Sequence, residues 1–91
     1  MSTIRRRVYY SGRVQGVGFR YTAQHLAAGY PRVAGYVRNL PSGDVELVAE
    51  GPAEDVNAFL AAVAQGFAEN IERAMARDEA PSGCQGFHIR Y

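Results

Sequence analysis

The chain has 91 residues, of which 47% are hydrophobic and 21% are charged, and its formal net charge is +1. We predict a single globular domain over residues 1–91, without the excess charge that attracts nucleic acid or an anionic membrane. All ten residues of the Lys and Arg class are arginine, which excludes Schiff-base chemistry and a P-loop lysine. Cys84 is the only cysteine, so an intrachain disulfide and a cysteine zinc site are excluded too.

Periodicity and turn residues predict seven elements along the chain. They are a strand over 8–14, a helix from Phe19 stopped at Gly29, strands over 33–39 and 44–51, a helix over 52–66, an exposed strand over 70–78 and a closing strand over 87–91. In the third strand Val45, Leu47 and Ala49 alternate with mostly polar residues, which predicts one solvent-exposed face. Two strand-helix-strand halves of this size match the split βαβ plan, with both helices on one face of an antiparallel sheet of four to five strands.

The stretch between the first strand and the first helix is typical of an anion site. Gly16 and Gly18 let backbone N–H groups converge at a helix N-terminus, and Arg20 adds a guanidinium suited to a phosphoryl group. The spacing fits neither the dinucleotide fingerprint nor a P-loop. On their own, the glycines are equally consistent with a sharp turn, and Arg20 with a solvated surface residue.

Asn39 ends the predicted second strand. In the split βαβ plan the first two strands of a unit run parallel, so Asn39 can lie at the same edge as the glycine turn. An asparagine there could orient a water molecule without titrating. From spacing alone, Asn39 could instead open the turn that Pro41 and Gly43 complete.

Two segments, Gly12–Arg20 and Gly35–Asn39, resemble the signature segments of the acylphosphatase family. The resemblance extends over nearly the whole chain, because Gly43, Glu46, Gly51, Phe59 and the segment 87–91 follow in a similar order. The chain departs from the family pattern at 29–33, at Tyr36, where tryptophan is common, and over 67–86. These departures concern the shape of the rim.

The resemblance implies an α+β, ferredoxin-like α/β sandwich that hydrolyses the carboxyl–phosphate anhydride of acyl phosphates without a metal or cofactor. It also assigns site residues. Arg20 and Asn39 are the implied catalytic residues, with Arg20 holding the phosphate and Asn39 positioning the attacking water. The implied phosphate-binding residues are Gln15, Gly16, Val17, Gly18, Phe19 and Arg20. A carboxylate is a good leaving group, so positioning and charge stabilisation can suffice for this reaction.

The remaining polar residues are predicted to have no chemical role. We interpret His25 and His88 as surface or core-edge residues rather than metal ligands. Cys84 has no evident cationic neighbour and is predicted to be inert. Four acidic residues are interpreted as a solvated strand face rather than as paired catalytic carboxylates: Glu69, Glu72, Asp78 and Glu79.

Two other functions are compatible with the same plan. RNA recognition is disfavoured because the aromatic and glycine motif at 16–21 lies in a turn and not on an interior strand. A domain that binds acyl phosphates within a carbamoyl-transferring hydrogenase maturation protein is the other alternative. We expect a small-molecule acyl phosphate as the partner, no nucleic acid, no membrane and a monomer. We expect a cytoplasmic location because residues 1–7 are not followed by the apolar run of an export signal.

Overall fold

The computed structural model describes residues 2–91, which form five strands and two helices. The elements are β1 (Thr3–Gly12), α1 (Phe19–Ala27), β2 (Ala34–Asn39), β3 (Val45–Pro52), α2 (Ala53–Gly66), β4 (Ile71–Glu79) and β5 (Phe87–Arg90). Their order confirms the predicted succession. Neither helix in the described part of the chain has the length and apolarity needed to span a bilayer.

The five strands form one sheet in the order β4-β1-β3-β2-β5. Both β1 and β2 pair antiparallel with β3, so they run parallel to each other as predicted. The sheet is mixed, however, because β5 pairs parallel with β2, and the prediction of a wholly antiparallel sheet was wrong in this respect. β4 ends opposite Arg5 and β5 begins opposite Gly35, at the same end of the sheet, so residues 80–86 cross from one edge strand to the other and the chain reverses direction.

Both helices pack on one face of the sheet, and the core lies between the two layers. The predicted apolar stripe of α2 is confirmed, since Val56, Phe59 and Val63 are fully buried and Phe67 is nearly so. Beneath the stripe lie side chains of β1 to β3, among them Val37 and Leu47. Full burial of one such side chain stabilises a fold by about 1.5–3 kcal/mol, so this layer accounts for much of the driving force for folding.

The prediction that one face of β3 is exposed to solvent was wrong. Glu46, Val48 and Glu50, which point away from the helices, are all buried. Long arginine side chains from neighbouring strands and the crossing segment 80–86 cover them. The carboxylate of Glu50 accepts hydrogen bonds from the backbone N–H groups of Ser82 (2.8 Å) and Gly83 (2.7 Å), so an ion-pair layer takes the place of water over the central strand.

β1 begins at Thr3 rather than at residue 8, and it ends at Gly12, where its pairing with β4 shifts register. The early start follows from its position between β3 and β4, because both neighbours supply backbone partners for the polar Arg5–Arg7 run. At the sheet edge, β4 is exposed from Glu72 to Asp78 and half-buried at its ends, Ile71 and Glu79, which confirms the prediction of an exposed fourth strand.

Candidate active site

The loop between β1 and α1 has the backbone conformation that its glycines predict. Gly16 and Gly18 have φ values of 76° and 79°, and Gly18 is the N-cap residue of α1. A Cβ atom placed on either residue would have no atom within 4 Å, so the constraint is conformational and not steric crowding. For a residue with a Cβ atom, this left-handed conformation costs about 1–2 kcal/mol, which explains why glycine occupies both positions.

Phe19 fixes the position of this loop relative to the core. Its side chain is 2% exposed, and its ring stacks on Phe67 and tilts against Tyr10, at centroid distances of 4.4 and 5.1 Å. The first residue of α1 is therefore anchored, while Gly16, Val17 and Gly18 stay at the surface. The rigid attachment holds the helix N-terminus in place behind the loop.

The exposed backbone of the loop offers several hydrogen-bond donors. Within residues 2–91, no backbone carbonyl accepts a hydrogen bond from the N–H groups of Gly16 to Arg20. The half-buried Arg20 lies beside them, and no carboxylate of the described residues is within 4 Å of its guanidinium. Free amides at a helix N-terminus together with an unpaired guanidinium attract an anion.

Asn39 lies at the same edge, at the end of β2. The turn after it is held by backbone hydrogen bonds from Leu40 N–H to the Asp44 carbonyl and from Gly43 N–H to the Leu40 carbonyl. The Gln15 side chain reinforces the turn by donating to the carbonyls of Leu40 and Asp44, each at 2.8 Å. The Asn39 side chain is absent from these turn bonds, which disfavours the alternative that it serves only to open the turn.

The loop, α1 and Asn39 enclose a cavity of about 180 Å³. It is lined by Val14, Gly16, Gly18, Phe19, Arg20, Tyr21 and Asn39. A larger cavity of about 260 Å³ lies near the end of α1 and the start of β5, but no charged side chain lines it. The smaller cavity is therefore the candidate anion site, and Arg20 is the single charged residue among residues 2–91 that lines it.

Two of the implied phosphate-binding residues have side chains outside the cavity lining. The Gln15 amide is committed to the turn after β2, so its side chain couples the loop to Asn39 instead of facing the cavity. Val17 lies between two lining glycines, with its side chain 37% exposed. The site residues predicted from the sequence did not include two aromatic residues near the cavity, Tyr21 and Tyr91. The only sequence feature that pointed to either of them is that Tyr21 directly follows Arg20.

The opposite face of the sheet carries a separate ion-pair network. Glu79 accepts hydrogen bonds from Arg5 and Arg7, so its interpretation as part of a solvated strand face was wrong. These bonds, chiefly from Arg7, lower the pKa of Glu79 to about 2. Burial alone would raise the pKa of Glu50, but hydrogen bonds from Ser82 and Arg5 outweigh burial and lower it to about 2.

Cys84 lies next to this network. Its sulfur accepts a long hydrogen bond of 3.7 Å from the Arg5 guanidinium, so the prediction that it lacks a cationic neighbour was wrong. The pairing arises because the crossing segment runs over β1, which the sequence does not reveal. Both histidines are exposed as predicted, and the His88 ring contacts the Gln85 carbonyl at 2.9 Å. Within residues 2–91, no three His, Cys, Asp or Glu side chains are grouped so as to hold a metal ion.

The fold and the candidate site together define an α/β sandwich domain with a glycine loop suited to anion binding at one end of its sheet. The family model described as Acylphosphatase matches residues 6–89 of this chain. The chain belongs to the acylphosphatase family, which confirms the family resemblance, the hydrolase class and the α+β fold expected from the signature segments.

Individual relatives agree with this assignment. The chain is 40% identical to an acylphosphatase of Haloarcula marismortui over 92 aligned residues, covering 100% of both chains. It is 43% identical to an acylphosphatase of Thermus thermophilus over 79 residues, covering 86% of this chain and 89% of the relative. The crystal structure of acylphosphatase from Bacillus subtilis superimposes with a TM-score of 0.88 and 36% identity, covering 97% of this chain and 99% of that one.

Proposed function

We propose that the chain hydrolyses the carboxyl–phosphate anhydride of small acyl phosphates to a carboxylate and inorganic phosphate without a metal ion. In this proposal residues 15–20 bind the phosphoryl group, Arg20 pairs with its oxygens and Asn39 positions the attacking water. The observation that carries the proposal is the convergence of Arg20, Asn39 and the loop N–H groups on one cavity. Among residues 2–91, Arg20 has no carboxylate partner and the N–H groups of Gly16 to Arg20 have no backbone acceptor. The positive φ of Gly16 and Gly18 is the backbone conformation that such an anion-binding loop uses.

The residue types around the cavity limit which group can accept the proton of the attacking water. In the part of the chain that the structure describes, no Asp, Glu or His lines the cavity, so the lining offers no ordinary general base. Water oxygen attacks phosphorus, the bond from phosphorus to the carboxyl oxygen breaks, and the carboxylate leaves with the bond electrons. The water proton passes to a phosphoryl oxygen of the substrate. Such a mechanism requires only that the protein hold the phosphoryl group in line with the water and stabilise its charge.

Asn39 suits the water-positioning role because its amide oxygen accepts a hydrogen bond without binding a proton. Its backbone is fixed by pairing with Val45 of β3. The two hydrogen bonds from Gln15 tie the following turn to the phosphate-binding loop. We therefore propose that Gln15 is a positioning residue, which keeps the water site and the phosphate site at a constant separation.

The proposed reaction is tested by assaying phosphate release from acetyl phosphate and benzoyl phosphate, with a phosphomonoester as control. We expect both acyl phosphates to be hydrolysed at rates unchanged by a chelator, and the monoester to be left intact because its alkoxide is a poor leaving group. Activity that disappears with the chelator and returns with a divalent cation would refute the metal-independent mechanism. Equal turnover of the monoester would refute the reliance on a good leaving group.

We further propose that residues 1–91 act as one domain and as a monomer in the cytoplasm, on a small-molecule substrate and without nucleic acid. The single core between one sheet and two helices supports the first part. The 16–21 motif lies in the loop and the first turn of α1, away from the sheet surface on which RNA bases would stack. Sedimentation and cell fractionation test the oligomeric state and the location.

A further inference from the structure

Exposed hydrophobic side chains cluster at the mouth of the anion cavity. Among residues 2–91, four large hydrophobic side chains are exposed: Val17 at 37%, Tyr21 at 60%, Met75 at 60% and Tyr91 at 88%. Tyr21 lines the cavity, Val17 lies between its lining residues Gly16 and Gly18, and Tyr91 contacts Tyr21 and Arg20. Met75 lies elsewhere, on the edge strand β4. Single exposed apolar residues are ordinary, but their concentration at one cavity is typical of a binding surface.

The two tyrosines are held together over Arg20. The Tyr21 and Tyr91 hydroxyl oxygens are 3.2 Å apart, and the Arg20 guanidinium lies 4.9 Å from the centre of the Tyr91 ring. The hydrogen bond with Tyr21 raises the pKa of Tyr91. The mouth thus receives one apolar side chain from the loop, Val17, one from α1, Tyr21, and one from the residue after β5, Tyr91.

The cavity leaves one direction for the group attached to the phosphate. Val14 and Phe19 form its inner wall, and both are buried in the core, at 0% and 2% exposure. A phosphoryl group bound by the loop N–H groups and Arg20 must therefore carry its acyl group outward through the mouth. There the acyl group meets Val17, Tyr21 and Tyr91.

From this arrangement, and resting on the proposed function, we propose that Val17, Tyr21 and Tyr91 form an acyl-binding rim. The rim favours acyl phosphates with a flat aromatic acyl group over acetyl phosphate. Tyrosine rings offer large, stiff apolar surfaces and stack well on another aromatic ring, whereas a methyl group covers little of either ring. Arg20 belongs to both parts of the site, since it lines the cavity proposed for the phosphoryl group and its guanidinium also lies over the Tyr91 ring.

The test compares kcat/KM for benzoyl phosphate and acetyl phosphate in the wild type and three variants. In Tyr21→Ala the benzoyl-to-acetyl ratio should fall by about tenfold, the effect of losing an aromatic contact. Tyr21→Phe keeps the ring and should keep the ratio. Met75→Ala removes an equally exposed apolar side chain far from the cavity and serves as the matched control. An unchanged ratio in Tyr21→Ala, or an equal loss for both substrates, would overturn the proposal.

A binding measurement separates failure of the rim from failure of the hydrolytic function. Phenylphosphonate and methylphosphonate carry the two kinds of group but cannot be hydrolysed as anhydrides. We expect calorimetry to show tighter binding of phenylphosphonate, with the preference lost in Tyr21→Ala and retained in Met75→Ala. If no acyl phosphate is hydrolysed but this preference is observed, the proposed acyl-binding rim is supported and the proposed reaction is refuted. If hydrolysis proceeds but the two phosphonates bind equally, the rim is refuted alone.

Discussion

Replacement of Arg20 by alanine is the most informative single perturbation of the proposed site. Among residues 2–91, Arg20 is the one charged side chain that lines the cavity, and it has no carboxylate partner whose charge would be left unpaired. Its loss therefore removes binding energy from the anion without breaking an internal ion pair. The expected effect is on the phosphoryl group, with little effect on the fold.

The magnitude follows from the hydrogen bonds that a guanidinium fork makes. Two charge-assisted bonds at about 1.5–3 kcal/mol each sum to about 4 kcal/mol, or roughly a thousandfold in kcat/KM. Its contact with the exposed Tyr91 ring adds at most about 1 kcal/mol to stability. Arg20→Lys keeps the charge but loses the fork, so its activity should lie between those of the wild type and Arg20→Ala.

The assay measures acyl phosphate hydrolysis and competitive inhibition by inorganic phosphate in the same preparations. Arg73→Ala is the matched control, because Arg73 is exposed on β4 and its removal changes the net charge equally. We expect Arg20→Ala to lose both turnover and phosphate inhibition, while Arg73→Ala retains both and both variants melt near the wild-type temperature. Normal phosphate inhibition in Arg20→Ala would place the anion elsewhere and refute the proposed site.

Three further predictions concern separate parts of the molecule. Asn39→Ala should lower kcat by about a hundredfold or more while inorganic phosphate still inhibits at a near-normal concentration, and equal loss of both would reassign Asn39 to the turn. Gly16→Ala should cost about 1 kcal/mol in chemical denaturation because its φ is 76°, and an unchanged midpoint would contradict the strained-loop argument. Glu50→Gln should destabilise the fold by about 2 kcal/mol at pH 7, since Ser82 and Arg5 lose a charged partner. The pKa of Glu50 is lowered to about 2, so its contribution is complete above the ordinary glutamate pKa of about 4.3 and is lost as the pH falls toward 2. The stability difference between wild type and Glu50→Gln, followed by denaturation at several pH values, should therefore shrink over that range, and a constant difference would contradict the assigned pairing.

Local sequence patterns predicted the helices and strands well because neighbouring residues largely decide where such elements form and end. The apolar stripe of α2 and the stop after α1 depend on residues a few positions apart, and both were predicted correctly. The prediction of a solvent-exposed face on β3 was wrong because the alternation of apolar and polar residues in β3 resembles that of a strand with one face in solvent. What buries Glu50 is a segment that begins some thirty residues later in the chain, and no local pattern reports such a contact. Glu79 and Cys84 were misjudged for the same reason.

The sequence by itself determined the parts of the site that depend on backbone chemistry. Glycine at positions 16 and 18 permits the positive φ that the structure contains, and the signature segments identify the family. The tertiary structure alone decided how separate segments meet. It directs the Gln15 side chain to the turn after Asn39, and it brings Tyr91, the residue after β5, against Arg20 of α1. Those contacts join residues far apart in the chain, and they form only because the packed helices and the register of the sheet bring their backbones together.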